Sequence, residues 1–517
     1  MRSKHIVANA EASGPGFVNL VVRDDALWEN LRLRLQSPRL GIPNRENGRR
    51  TVIDYSSPNI AKEMHVGHLR TTVLGDCLVP VLQFLAADVV RQNHLGDWGS
   101  QFGMLIQYLD ENPDRPWRAA DLSSADSPIS ALDNIYQDAR ANFGRDAGFA
   151  ARARSRVVEL QRGDPQTLAQ WREIVDESEQ QFRKVYERLD VLLTPQDSFG
   201  ESEYNTQLAD VVAELTAAGV AEESEGAVVV LSERFTAPDG RPVPLILQKS
   251  DGGYGYDATD LAAIRYRTKV LHAQHLIYVT DSRQSTHFQM IFDAARRVGW
   301  LDDTVSAEHV GYGAVLSRDG RPFKTREGGT VRLADLIDDA VRHSKSLIEN
   351  RGIAAEGTDL DQLAWQIGIG AIKYADLSTS REKDYVFDLD RMVSLDGNTG
   401  MYLQYAHARI CSILRRAGNS PDDLTFPLPF DPEERALALT VDAYPDVVLE
   451  VGRTLEPHRL CAYLYRLARD FTNFYDKCNV LNSPFDIRMN RLALCRLVAH
   501  TLSEGLRLLG VPAPERV

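Results

Sequence analysis

Thr51–Gly103 reads TVIDYSSPNIAKEMHVGHLRTTVLGDCLVPVLQFLAADVVRQNHLGDWGSQFG, and the rest of the chain is organised around it. Val52, Ile53 and Tyr55 form a short β-rich run. Ser56-Ser57-Pro58-Asn59 ends that run, because the Pro58 ring disfavours a central ladder position and a helical residue before it. Leu69, Val73, Leu74, Cys77, Leu78, Val81, Leu82 and Leu85 then recur at helical spacing. Asp88-Val89-Val90 reads as the next strand. The result is one strand–loop–helix–strand unit with Lys62, His65 and His68 gathered where the helix begins. Unpaired N–H groups and partial positive charge at a helix N-terminus suit a phosphate or carboxylate, so the unit reads as a nucleotide site.

His65 and His68 stand at i and i+3 and share a helix face. Two surface histidines on a helix end are the ordinary explanation of a lone H-x-x-H, and a metal site lacks a third ligand at metal spacing. Three features favour a ligand site instead. Gly67 lets a ligand approach the backbone, Lys62 adds a cation one turn before, and the preceding strand places all of them where open α/β sheets bind ligands.

Outward from this unit, 517 residues with 43% hydrophobic and 26% charged content suit a soluble chain of about three domains. No apolar run reaches the ~20 residues of a membrane span. No apolar h-region follows Met1, so a secretory signal is not expected and a cytoplasmic location is. Cys77, Cys411, Cys461, Cys478 and Cys495 lie far apart, as expected of reduced, packed thiols. The net charge of −14 argues against a broadly basic surface but permits a local nucleic-acid patch. Residues 401–517 balance their charges, so the deficit lies in residues 1–400.

In chain order, Gly14-Pro15-Gly16 turns into a strand at Phe17–Val22, and a short amphipathic helix follows around Leu27–Leu35. Residues 111–200 are polar and helical in pattern, an insertion between two halves of a nucleotide-binding sheet. Residues 206–250 alternate helix and hairpin, with strands at Ala227–Leu231 and Val243–Leu247. Residues 253–330 return to strand–helix alternation, with Leu276–Val279 as a buried parallel strand and Phe288–Val298 as a helix. From Val331 onward the pattern predicts amphipathic helices and no strands, hence a helical bundle. A Pro-rich acidic linker, Asn419–Asp431, interrupts it, and Pro432 suits the first position of the next helix.

The His65-Val66-Gly67-His68 string resembles the HIGH signature of class I aminoacyl-tRNA synthetases. The longer DYSSPNIAKEMHVGHLR (54–70) is similar to arginyl-tRNA synthetases in particular. So are NHLGDWGSQFGMLI (93–106), GGYGYDATDLA (252–262), DSRQSTHF (281–288), FKTREGGTVRLADL (323–336), KYADLS (373–378) and GNTGMYLQYAHAR (397–409). Seven strings in one order leave no room for a chance match. The resemblance implies a Rossmann-type parallel-sheet catalytic domain with a helical insertion, followed by an all-α anticodon-binding bundle. It divides the chain into residues 1–50 (remnant of an N-terminal domain that contacts the tRNA elbow), 51–335 (catalytic, with insertions at about 111–250), 336–397 (helical connector) and 398–517 (anticodon-binding).

The implied reaction joins L-arginine and ATP, taken with Mg2+, into arginyl-adenylate and transfers arginine to the 3′ end of tRNA(Arg). No tightly bound cofactor and no protein-held metal are implied, and a monomer is the family expectation. Catalytic residues on this resemblance are Lys62, His65, Gly67, His68 and Lys324. ATP would meet Lys62, His65, His68, Phe323 and Lys324. Phe323-Lys324-Thr325-Arg326-Glu327-Gly328-Gly329 stands where most class I enzymes carry KMSKS, and Lys62 is the cation thought to compensate. Arginine selection needs a carboxylate fork, since a guanidinium makes planar paired bonds that lysine cannot. Tyr256 and Asp260 match it, with Glu201 as a second acid, Gln284 beside them, and Ser57, Asn59 and His68 at the amino-acid end. The tRNA-binding face would include Tyr402, Gln404, Tyr405 and Arg409, where aromatics mix with polar and basic groups, as does His407. Roles for His94, Asp97, Trp98 and Gln101 stay open. Met401, Ser380 and Val517 depart from the family pattern. Two further functions compete: a paralogue supplying arginyl-adenylate or arginyl-tRNA to a specialised-metabolite or self-resistance pathway, and a non-catalytic tRNA-binding module. The second predicts decayed ATP-site residues, yet His65, Gly67, His68, Lys62 and Lys324 are all present.

Overall fold

The computed structural model describes residues 6–118, 121–122, 128–237, 239–321, 331–418 and 428–517. Its strands are β1 (Val7–Ser13), β2 (Phe17–Val22), β3 (Arg50–Asp54), β4 (Asp88–Leu95), β5 (Ser198–Gly200), β6 (Ala221–Ser224), β7 (Ala227–Val230), β8 (Leu245–Gln248), β9 (His275–Tyr278), β10 (Ser306–His309), β11 (Val315–Leu316) and β12 (Tyr385–Val386). The helices up to residue 300 are α1 (Asp24–Gln36), α2 (Gly67–Phe84), α3 (Ser100–Glu111), α4 (Pro128–Arg145), α5 (Ala147–Arg162), α6 (Pro165–Leu189), α7 (Leu208–Ala217), α8 (Tyr256–Lys269) and α9 (Ser285–Arg297). Beyond it come α10 (Leu333–Arg351), α11 (Leu360–Leu377), α12 (Leu389–Met392), α13 (Gly400–Ala417), α14 (Pro432–Asp442), α15 (Tyr444–Thr454), α16 (His458–Lys477) and α17 (Phe485–Leu508). The chain divides into two compact units, one of Gly48–Asp76 and Asp88–Leu336, the other of Met1–Asn47, Cys77–Ala87 and Ile337–Val517.

In the first unit a five-stranded sheet runs β10-β9-β3-β4-β5. Every pairing in it is parallel, with Thr51 opposite Val89 on one side and His275 on the other. Strand order reverses at β3, and the crevice beyond the carboxyl end of such a strand is where open α/β sheets take ligands. A central parallel strand is covered on both faces, and Thr51, Val52, Ile53 and Asp54 are all buried. Leu69, Val73 and Leu74 of α2 are buried in this unit, and Cys77, Leu78, Val81, Leu82 and Leu85, which belong to the other, are buried too. Helices α4, α5 and α6 fill the insertion; Asp164 caps α6 by accepting from Thr167 N, and Pro165 stands in its first turn. The hairpin expected before residue 250 is the β7–β8 pair of a three-stranded antiparallel sheet with β6. Its third strand, Ala-Glu-Glu-Ser, is mostly exposed and carries no apolar alternation, so periodicity did not mark it.

The second unit is helical, with the exposed β1–β2 hairpin at its start. Leu460, Leu464, Leu467, Ala468, Phe471 and Phe474 form the buried stripe of α16. Asp431 and Glu434 form a capping box at α14, whose first residue is Pro432. One expectation is corrected: strands do not stop at Val331, because Tyr385–Val386 is extended as β12. Two residues are too few to show a period.

Candidate active site

The turn after β3 holds three non-glycine residues in the left-handed region, Ser56 (φ 72°), Ser57 (φ 48°) and Ala61 (φ 60°). Such residues cost roughly 1–3 kcal/mol each and need outside support. Ser56 N donates to Thr71 Oγ1 (3.1 Å), and Ser56 Oγ shares a bond with Tyr186 Oη (2.7 Å). Ser57 N donates to Asn93 Oδ1 (2.9 Å), and Ser57 Oγ donates to Asp54 Oδ1 (3.0 Å). Asp54 Oδ2 in turn pairs with the buried Arg267 guanidinium at 2.6 Å. Since Ser57 Oγ gives its proton to Asp54, it offers lone pairs to an ammonium group. Asn59 is bridged to Gly96, where a Cβ would fall 2.4 Å from Asn59 Oδ1.

At the start of α2, Gly67 N donates to His65 Nδ1 (3.0 Å) and His65 N donates to His68 Nδ1 (3.1 Å). Both Nδ1 atoms therefore accept, and in the neutral rings both protons sit on Nε2. Burial and then Lys62 lower the His65 pKa. Burial, then His65 and Lys62, pull His68 down to about 3. Near neutral pH the pair consists of two uncharged rings, centroids 4.1 Å apart, each with an Nε2–H to donate. Lys62 lies over the Tyr136 ring at 5.0 Å. Gly67 differs from expectation. A Cβ there would stand 2.7 Å from His65 Cε1, so the space is taken by the chain's own imidazole and not held open for a ligand.

Phe323 and Lys324 lie outside the described residues. The segment that follows them is bound to this turn, with Val66 N donating to Val331 O (3.0 Å) and Leu333 N to Met64 O (2.9 Å).

Around α8 the acids converge. Burial, then the charges of Asp260 and Asp97, push Glu201 up to about 8. Burial pushes Asp97 up to about 6, although Ser202 N and Oγ donate to its two oxygens (2.9 and 2.7 Å). Asp97 thus holds the turn that presents Glu201, and a Cβ on Gly200 would stand 2.1 Å from Asp97 Oδ2. Burial raises Asp257 to about 6 while its Oδ2 accepts from Ile246 N at 2.7 Å. Asp260 Oδ2 lies 2.6 Å from His287 Nε2. Tyr256, 70% exposed, opens α8 with its ring 5.3 Å from that of His287. Gln284 is exposed and stands immediately before α9.

The structure therefore gathers Lys62, His65, Gly67 and His68 in one turn, ties Ser57 and Asn59 to β4, and draws Glu201 to Asp260. Asp97, Asp257 and His287 were not singled out as acting residues. Asp257-x-x-Asp260 on one helix face was the available signal, while Asp97 and His287 arrive from other elements. Trp98 and Gln101 close the start of α3, Gln101 Nε2 donating to Trp98 O (3.0 Å). His94 stacks on Tyr204 with centroids 5.8 Å apart, and burial lowers its pKa.

On α13, Tyr405 is 41% exposed, and Arg409 lies 4.5 Å over the Tyr475 ring. Tyr402 packs edge-on against Tyr465. Gln404 is corrected: it is fully buried, its Nε2 donating to Gln366 O (3.0 Å) and Pro512 O (2.9 Å), so it fixes helix packing and presents nothing to a partner. His407 is buried likewise, with Nδ1 3.0 Å from Pro514 O. Asp431, Glu434 and Cys478 are spaced for a metal, but the Arg491 guanidinium pairs with both carboxylates and fills that role.

Two family models match the chain: the class I (R) tRNA synthetase catalytic domain over residues 32–389 and the DALR anticodon binding domain over residues 403–517. The arginine–tRNA ligase of Frankia casuarinae is 60% identical over 511 residues, which cover 99% of this chain and 87% of that protein. That of Streptomyces coelicolor is 49% identical over 514 residues, covering 99% and 88%. Among solved structures, the arginyl-tRNA synthetase of Plasmodium falciparum superposes with a TM-score of 0.84 at 33% identity, covering 99% of this chain and 86% of that one. The Thermus thermophilus enzyme gives 0.81 at 25%, covering 99% and 89%.

Proposed function

The chain belongs to the class I arginyl-tRNA synthetase family and is an arginine–tRNA ligase, and from that premise we propose how its residues divide the work. The arginine carboxylate attacks the α-phosphate of ATP, pyrophosphate leaves, and a hydroxyl of the terminal tRNA ribose then takes the arginyl group and releases AMP. The first step moves negative charge about phosphorus, and the second is acyl transfer at the arginyl carbonyl with AMP leaving, so positioning and electrostatics dominate. His65 and His68 each give an Nε2–H to the phosphates. The backbone amides that donate to their Nδ1 atoms fix each proton on Nε2, so both are donors from the outset with no reorganisation as the α-phosphate passes through its transition state. Lys62 supplies fixed charge beside them. Lys324, with Phe323, is assigned to pyrophosphate from its place in the string that stands where most class I enzymes carry KMSKS.

Asp260 and Glu201 face the guanidinium, Tyr256 and Gln284 flank it, and Ser57 and Asn59 hold the α-amino and carboxylate end with His68 nearby. The observation that carries this assignment is the acid pocket: Asp260, Asp257, Asp97 and Glu201 converge around α8, and burial, then the Asp260 and Asp97 charges, raise Glu201, a setting that suits a guanidinium. Mg2+ enters with ATP. Residues 51–335 hold the chemistry, 336–397 connect, and 398–517 read the tRNA, with Tyr402, Tyr405 and Arg409 as its contacts. The chain acts as a monomer in the cytoplasm; among the described residues no helix is long and apolar enough to cross a membrane. A specialised-pathway paralogue would share every one of these roles, and no observation favours it. Arginine-dependent exchange of pyrophosphate into ATP, with tRNA present, tests the assignment. Asp260→Ala should abolish arginine use in a folded protein, and a near-normal rate in that variant overturns the role of Asp260.

A further inference from the structure

His287 lies in the first turn of α9 and is held between two carboxylates of α8. Its Nε2 is 2.6 Å from Asp260 Oδ2 and its Nδ1 is 3.5 Å from Asp257 Oδ1. Asp257 Oδ1 is buried and, among the described residues, has no hydrogen-bond partner; its other oxygen is committed to Ile246 N. A neutral imidazole serves only one of these two acids, whereas an imidazolium faces both. Burial works against charge on this ring, and the bond to Asp260 with the charges of Asp260 and Asp257 outweighs it, so the net shift is upward. The ring is wedged between Tyr256 and Phe288, with centroids 5.3 and 5.5 Å away. Among the described residues, Glu201, His94 and Tyr278 feel the charge of Asp260, and His309 stacks on Phe288 at 5.0 Å.

A carboxylate can pair with a planar guanidinium only if its own plane is fixed. Asp260 sits on a helix with two free side-chain torsions, among the acids Asp257 and Glu201. One bond to Oδ2 from a ring that is itself wedged removes that freedom and leaves Oδ1 directed elsewhere. We infer that His287 is a positioning residue for amino-acid selection: it clamps Asp260 Oδ2, so that Asp260 presents a fixed carboxylate edge to the side chain of the incoming arginine. The inference rests on the assignment of Asp260 to the guanidinium.

The test is steady-state aminoacylation with L-arginine, ATP and tRNA, comparing the unaltered enzyme with His287→Ala, His287→Gln, His287→Asn and Asp260→Ala. His287→Ala should raise KM for arginine about tenfold or more, with KM for ATP unchanged and kcat within about threefold. His287→Gln carries an amide nitrogen to the Nε2 position and should restore most of the arginine KM. His287→Asn reaches only the Nδ1 position, facing Asp257, and should not. Gln and Asn keep the site polar and of similar volume, so their contrast decides the matter even where the Ala variant fails to fold. Equal arginine KM values in the Gln and Asn variants, or a loss confined to kcat, overturn the clamp. Near-normal arginine use by Asp260→Ala overturns instead the assignment on which it rests.

Discussion

Arginine binding should expel a proton from Glu201. Burial and the neighbouring Asp260 and Asp97 charges push that carboxyl up to about 8, so in the arginine-free site at neutral pH it is mostly protonated. A guanidinium calls for the carboxylate. With a midpoint near 8, about 9% of the groups are ionised at pH 7 and about 76% at pH 8.5, so the competent fraction rises roughly eightfold. The arginine Kd should fall by the same factor across that interval. Titration calorimetry in buffers of differing ionisation enthalpy reads the proton directly: about 0.9 released per arginine at pH 7 and about 0.2 at pH 8.5. Glu201→Gln isolates this carboxyl from Asp97, Asp257 and His287; it should bind arginine more weakly, with the pH dependence largely gone. A wild-type Kd that stays flat from pH 7 to 8.5 with no proton exchanged at pH 7 would refute the reasoning.

Gly200→Ala should raise the arginine KM well before it touches that of ATP, because the new Cβ would meet Asp97 Oδ2 at 2.1 Å and displace the turn that presents Glu201. Paired KM measurements check it. His68 has a pKa near 3 in the folded chain against an ordinary 6.5, so between those values the unfolded state binds the extra proton and stability rises with pH. Denaturant midpoints at pH 5 and pH 7 should therefore lie closer together in His68→Gln than in the unaltered chain.

The β3–α2–β4 unit was legible because each part has one strong period, and burial of all eight positions from Leu69 to Leu85 follows from that spacing. Lys62, His65 and His68 were legible for the same reason, since neighbours on one turn are fixed by sequence alone. The acid pocket was legible only in halves. Tyr256 and Asp260 share α8, but Glu201 reaches Asp260 through a turn held by Asp97, and His287 comes from α9. No spacing rule connects four elements that meet only when a sheet closes. Gln404 misled because a polar residue among aromatics resembles a recognition surface. Its burial depends on Pro512, more than a hundred residues later, returning a carbonyl to it.

The His65 ring resting on Gly67 has a consequence for heredity. The two positions are linked, because a side chain at Gly67 must displace the imidazole whose Nδ1 accepts from the Gly67 amide. A library randomised at residue 67 alone should return glycine, whatever substrate is selected for. A side chain at 67 should therefore be better tolerated when residue 65 is changed with it.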